Sequence, residues 1–281
     1  EQAKMMVMQT VGVSLCSAEL KQIKDVIAIS KEMSPGSEGK ATLWADGAKV
    51  SWEAAALTAG TMGDALDWED CSVTGHPSAG VIPTAVIATE VLHKSGKEML
   101  TAIVAGYEVY QRVALAGRSN IVSYNIFGNL TVLMKLLDLS EEQMNQAFGI
   151  GTACAMYHPE PGAVWYQPET MKDQKIIDLM MKVKADGFVK MTGMKFIKDL
   201  IDGKHPEKFM LVRMKDGTEY VESTFTHPGH PHYMLTRDQF KDRFRLETRN
   251  VLASEQAEKA IDCICHLDEY EDASVLPQFL Y

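Results

Sequence analysis

Between Ala54 and Gly63, the positions Ala54, Ala55, Ala56, Ala59, Gly60 and Gly63 are all alanine or glycine. A helix with so little side chain lets a neighbouring backbone come close, which is the packing of a tight helical array. Ser51 stands ahead of the run, where a hydroxyl caps a helix start. Helical periodicity recurs through the first two-thirds of the chain. Met5 to Leu15 is apolar. Val81 to Leu92 carries Val81, Ile82, Ala85, Val86 and Leu92, with Pro83 tolerated in a first turn. After a stop at Lys94 to Lys97, the segment Glu98 to Ala116 places Leu100, Ile103, Val104, Tyr107, Tyr110 and Val113 on one stripe. Leu130 to Leu137 continues in kind, and Ser140 with Gln143 forms a capping box that starts a helix toward Ile150.

Two stretches change period. Ala41 to Val50 has short β-prone pieces around Asp46-Gly47, and Phe209 to Met214 faces Thr218 to Phe225 across Asp216-Gly217, which reads as a hairpin. His158 to Pro168 is a proline-rich loop, and Asp173 to Lys184 is helical. Thr236 with Gln239 is a second capping box, and helices run on to Leu280. The expected fold class is mainly α: a multihelical domain over 1–157, a smaller α+β unit over 158–235, and C-terminal helices over 236–281 that return to the first domain.

A chain of 281 residues with 46% hydrophobic and 23% charged residues can bury a core as a globular protein. Its formal charge of −10 and scattered lysines leave no basic cluster for nucleic acid or an anionic membrane. No apolar run reaches membrane-spanning length, and no signal peptide opens the chain. It begins at Glu1, without Met and already within a helical pattern, which implies residues upstream. Five irregularly spaced cysteines point to a reducing, cytoplasmic compartment, with Cys263 and Cys265 as core thiols. Seventeen methionines fit adaptable core packing.

The chemistry concentrates at Asp64, Asp67, Glu69, Asp70 and His76, around a break between two helical runs. Carboxylates packed that closely raise at least one pKa toward that of a working base. Pro77 and Ser78 open the next helix, so a positive helix end would face the same spot. Carboxylate base, imidazole and anion-attracting helix start suit proton abstraction beside a substrate carboxylate. Glu69 and Asp70 either orient His76 or cap a helix. Ser78 caps the next helix or aims its N–H at substrate, and Arg118 pairs with a substrate carboxylate or with a surface acid. His227, His230 and His232 sit in a stiff Pro-Gly-His-Pro segment without neighbouring Cys or carboxylate ligands, so no metal site is expected there. No phosphate loop, serine elbow or CxxC motif appears.

The Ala-rich helix, Leu66-Asp67-Trp68-Glu69-Asp70 and His76-Pro77-Ser78-Ala79-Gly80-Val81-Ile82-Pro83 together resemble the MmgE/PrpD family. Its members include 2-methylcitrate dehydratase, cis-aconitate decarboxylase and iminodisuccinate epimerase. Glu90, Gly106-Tyr107-Glu108, Gly117-Arg118-Ser119, Tyr166-Gln167-Pro168-Glu169, the Lys215-Asp216-Gly217 hairpin, Phe240 to Arg245 and Leu267 to Leu280 extend the resemblance. It implies a helical domain carrying an α+β lid, a cofactor-independent enzyme acting on a small di- or tricarboxylate, and a homodimer. It also implies that Asp67 is the catalytic aspartate, working as base or proton relay, and that His76 is the family's His-Pro-Ser histidine, working as general acid. Cys71 stands where some members have a hydroxyl, and Asp64 where a histidine is common. The chain is shorter than family members, with the shortfall between about Gly149 and Tyr166. It is either a shortened relative or a chain lacking an internal segment, and a catalytically impaired binding or assembly relative is the alternative to a dehydratase, decarboxylase or epimerase.

Overall fold

A computed structural model describes residues 1–34, 41–72, 75–116, 125–157, 172–181, 208–213, 216–224 and 233–281. Helix α1 (Gln2–Ser17) is buried on almost every side, because Met5, Val7, Met8, Val11, Val13 and Leu15 leave it no polar stripe. It is the central post of the fold. Helix α2 (Lys21–Glu32) buries only Ile23, Ile27 and Ser30, and the Ser30 hydroxyl meets that of Thr58 at 2.7 Å.

A hairpin of β1 (Ala41–Thr42) and β2 (Lys49–Val50) follows, turning at Asp46-Gly47 as expected. Gly47 has φ +83°, a left-handed backbone that glycine takes without strain. Helix α3 (Trp52–Asp64) begins at Ser51, whose hydroxyl accepts from the Ala54 N–H at 3.3 Å. Its small residues Ala54, Ala55, Ala59 and Gly63 are the buried ones. They admit α4 (Ser78–Leu92), which is apolar and buried nearly throughout.

Helix α4 opens at Ser78, after Pro77, as expected, which is ahead of the apolar pattern at Val81, so Pro83 lies inside the helix and not in its first turn. A proline at this position leaves the carbonyl of Ala79 without its helical N–H partner. That carbonyl is turned to the side where Gly60 and Gly63 of α3 leave space. The small-residue face and the internal proline therefore fit each other.

Helix α5 (Gly96–Ala116) also starts before the expected Glu98. Ser95 and Glu98 form a reciprocal cap, with Ser95 N–H donating to Glu98 Oε2 at 2.8 Å and Glu98 N–H to Ser95 Oγ at 3.3 Å. Met99, Ile103 and Tyr110 are buried, whereas Val104, read as part of the apolar stripe, faces solvent. Helix α6 (Asn125–Leu136) packs on α5 and α4, and α7 (Glu141–Tyr157) begins at the Ser140–Gln143 capping box. Helix α8 (Gln174–Met180) packs on α7. The helix expected from Asp173 to Lys184 is capped by Asp173 and ends at Met180, and residues 182–184 lie outside the described residues. Strands β3 (Lys208–Arg213) and β4 (Glu219–Thr224) pair antiparallel across Asp216-Gly217.

Helices α9 (Arg237–Thr248) and α10 (Ser254–Cys265) complete the chain with two 3-10 segments, Leu267–Glu269 and Ala273–Phe279. Thr236 and Gln239 cap α9 reciprocally. Both helices pack on α1, and the last 3-10 segment packs on α4. Backbone bonds fasten this return: Ala273 N–H to Lys94 O and Gly96 N–H to Tyr270 O, each 2.9 Å, and Ala45 N–H to Leu280 O at 2.7 Å. The described chain is thus mostly helical with two small two-stranded sheets. Among the described residues no helix is long and apolar enough to cross a membrane.

Candidate active site

The turn after α3 carries the acids. Asp67 has φ +55°, so the chain reverses sharply there, and its N–H approaches the Asp64 carbonyl at 3.4 Å. Left-handed backbone at a residue other than glycine is uncommon and tends to mark functional turns. Further on, the Ser72 N–H donates to Gly75 O at 2.8 Å, and the Ser72 hydroxyl donates to the same oxygen at 2.9 Å. This closure brings His76 back over the acids.

The imidazole lies between two carboxylates. Its Nε2 is 3.4 Å from Asp67 Oδ1, and its Nδ1 is 3.0 Å from Glu69 Oε1. Side-chain exposure separates the three: 83% for Asp67, 26% for His76 and 0% for Glu69. Asp67 is therefore the carboxylate a substrate can reach, and Glu69 the one that backs the ring from within. The Glu69–His76 approach is off the hydrogen-bonding direction, so both Glu69 oxygens and His76 Nδ1 remain buried without a hydrogen bond. Contacts of this kind are often loose before substrate binds and tighten afterwards.

Burial pushes the Glu69 carboxyl up from its ordinary range; Asp64 adds to the rise and His76 opposes it. Crowding of acids alone, the cause expected from sequence, is the smaller contribution. Asp70 is also pushed up, first by burial, against the lowering effect of Ser78 and Tyr107.

Asp70 occupies the start of α4. The Ser78 N–H donates to its Oδ1 at 3.1 Å. Ser78 is the first helical residue after Pro77 and does not cap the helix through its side chain; its hydroxyl is buried and unpartnered. This corrects the expectation that Ser78 caps α4 or aims its N–H at a substrate anion. The protein's own carboxylate takes the N–H, and the positive helix end is partly neutralised. The Tyr107 hydroxyl, on α5, faces Asp70 and Ser78 from the other side and is buried. Burial beside the Asp70 carboxylate drives the Tyr107 phenol well above its ordinary pKa.

In the sequence Tyr107 belongs to an apolar stripe and to the Gly106-Tyr107-Glu108 stretch, and no local spacing ties it to a loop so distant. Cys71 is exposed, its thiol directed to Ser72 O at 3.4 Å. Arg118 and the histidines 227, 230 and 232 lie outside the described residues. Among the described residues, no Lys or Arg side chain forms an ion pair with Asp67, Glu69 or Asp70. Asp67, Glu69 and His76 offer one ligand atom each, all within 4.8 Å of one another, as a divalent cation would require. Yet the two acids face different ring nitrogens, and one ion binds only one nitrogen of an imidazole. The arrangement is that of a proton relay more than of a chelate.

Asp70 yields a pH prediction. A carboxyl raised in the folded state contributes stability that is fully present below its unfolded pKa and is lost as pH rises through the folded value. Asp70→Asn keeps an oxygen that can accept from the Ser78 N–H but cannot ionise. The melting temperature of wild type minus that of the variant should therefore fall from about pH 4 to about pH 8. Thermal melts across that range check this, and a difference that grew with pH would contradict the buried-carboxyl account.

The model of the MmgE/PrpD N-terminal domain matches residues 1–157, the span that holds α1 to α7 and the whole acid loop. No curated protein matches the chain significantly.

Proposed function

The chain belongs to the MmgE/PrpD family, and from that premise we propose that it is a cofactor-independent, 2-methylcitrate dehydratase-like lyase acting on a small di- or tricarboxylate. The observation that carries the reading is the His76 ring between an exposed Asp67 and a buried Glu69. Asp67 removes the proton from the carbon next to a substrate carboxylate. As the carbon–carbon double bond forms, the neighbouring C–O bond breaks, and His76 donates a proton to the departing hydroxyl, which leaves as water. The proton on Asp67 then passes to His76 across their short gap, and both groups are restored. Glu69, with its carboxyl 3.0 Å from Nδ1, backs the inner edge of the ring during this exchange.

Substrate anchoring requires positive charge that the α4 start, partly neutralised by Asp70, supplies poorly. This observation favours the second reading, a catalytically impaired binding relative. The division into 1–157, 158–235 and 236–281, cytoplasmic residence and a homodimer belong to the same proposal as the dehydratase.

Incubating the protein in D2O with 2-methylcitrate, citrate and related hydroxy acids tests the reading by NMR. Dehydration gives an alkene signal, and reversible proton removal alone gives loss of the carbon-bound proton signal. Neither signal with any acid, together with a thermal shift on binding, would select the impaired relative instead.

A further inference from the structure

The turn that carries Asp67 is held from the far end of the sequence. The carbonyl of Trp68, the residue between Asp67 and Glu69, accepts from Arg243 Nη2 on α9 at 2.9 Å and from Gln9 Nε2 on α1 at 3.4 Å. The Trp68 side chain is 53% exposed, so side-chain burial does little to fix this turn. The carbonyl is where the turn is tied down.

Arg243 is itself oriented. Its Nε donates to Glu247 Oε1 at 2.5 Å, and Glu247 is buried one helical turn away on α9, against Gly12 of α1. A guanidinium presents its donors in a rigid fork, so an anchored Nε fixes where Nη2 points. A charged donor also makes the stronger kind of hydrogen bond to a carbonyl. Asp67 sits in a left-handed conformation, which persists only where surrounding contacts hold it. The held residue adjoins both acids: on one side Asp67, facing His76 Nε2, and on the other Glu69, facing Nδ1.

We propose that Arg243 is a positioning residue: anchored by Glu247, it clamps the Trp68 carbonyl and so holds Asp67 and Glu69 on opposite edges of the His76 ring. Helix α9 thereby completes the geometry of a site whose reacting groups all come from the first part of the chain. The role rests on reading those three residues as the reacting groups. Arg245, on the same helix, pairs with Glu258 and Asp242 and makes no contact with the turn, which makes it a matched control.

Hydrogen exchange across Leu66 to Cys71 in the full chain reads the clamp without any substrate. Arg243→Met should speed exchange there about tenfold, with peptides from α4 and α10 unchanged. Arg243→Lys, which engages one partner at a time, should fall between it and wild type. Arg245→Met should leave the turn as it is. Should Arg243→Met fail to fold, Glu247→Gln loosens the same anchor and should shift exchange in the same direction by a smaller factor.

Exchange within about twofold of wild type, or an equal effect from Arg245→Met, would overturn the clamp. On an acid that the wild type turns over, Arg243→Met should lower kcat about tenfold while KM stays within about threefold, and Arg243→Lys should restore part of kcat. A loss of kcat no larger than the loss of folded protein would reduce Arg243 to a structural residue. If the wild type turns over no acid yet the turn loosens as described, the lyase reading fails and the clamp stands.

Discussion

Asp67→Asn should lower turnover of the dehydrated acid by about 10³-fold and leave the protein as stable as the wild type. The side chain is 83% exposed, and among the described residues its ion-pair neighbour is His76 at 3.4 Å, so little packing is lost. The backbone is unaffected for a second reason. Asp67 has φ +55°, and asparagine tolerates left-handed backbone better than most residues. What the substitution removes is the ability to take a proton. Activity should therefore fall while the melting temperature moves by less than about 2 °C. His76→Asn should show a comparable loss, and the double variant should lose little more than either single one, because residues acting as one relay are not additive. Turnover within about threefold of wild type for Asp67→Asn would remove Asp67 from the chemistry and move the base to another group.

The parts of this fold legible in the sequence are those set by neighbours along the chain. The small face of α3, the Ser51 cap and the boxes at Ser140 and Thr236 depend on residues at most a few positions apart, and each stands where periodicity placed it. The acid turn and His76 were legible for the same reason, since they share one short loop. Helix α4 opens at Pro77 and Ser78 as the sequence indicates, but the apolar pattern from Val81 puts Pro83 in a first turn, whereas it lies inside the helix. Its tolerance inside the helix depends on the space beside Gly60 and Gly63, on another helix. Capping is one of the two roles the sequence leaves open for Asp70, but which of them holds depends on the chain folding back, which alone lets a side chain eight residues ahead of Ser78 reach the helix start. Tyr107 and Arg243 lie in stretches that carried the family resemblance, yet nothing local in either stretch assigns them a partner in the loop. Their roles arise from helix packing, which brings Tyr107 of α5 to Asp70 and Arg243 of α9 to the Trp68 carbonyl.

The same substitution at two glycines should change stability in opposite directions, and the contrast tests how the C-terminal return is seated. Gly96→Ala should cost about 2–4 kcal/mol, a fall of roughly 5–10 °C in melting temperature. Gly96 opens α5, where alanine would by itself be favoured by up to about 1 kcal/mol. Its surroundings reverse that preference. A Cβ there would overlap the backbone carbonyl of Leu267, and a backbone oxygen cannot swing aside as a side-chain tip can. Leu267 is fully buried, and the segment it leads is tied down by Gly96 N–H to Tyr270 O and by Ala273 N–H to Lys94 O. Making room for one methyl group would thus shift the seat of the whole terminal segment. At Gly60 on α3 the nearest atom to an added Cβ is the Ala79 carbonyl oxygen at 3.7 Å, an ordinary contact. Gly60→Ala should therefore leave stability unchanged or raise it by up to about 1 kcal/mol. Denaturant melts of the two variants side by side decide the matter. A Gly96→Ala protein as stable as Gly60→Ala would mean that the terminal 3-10 segments do not press on the start of α5.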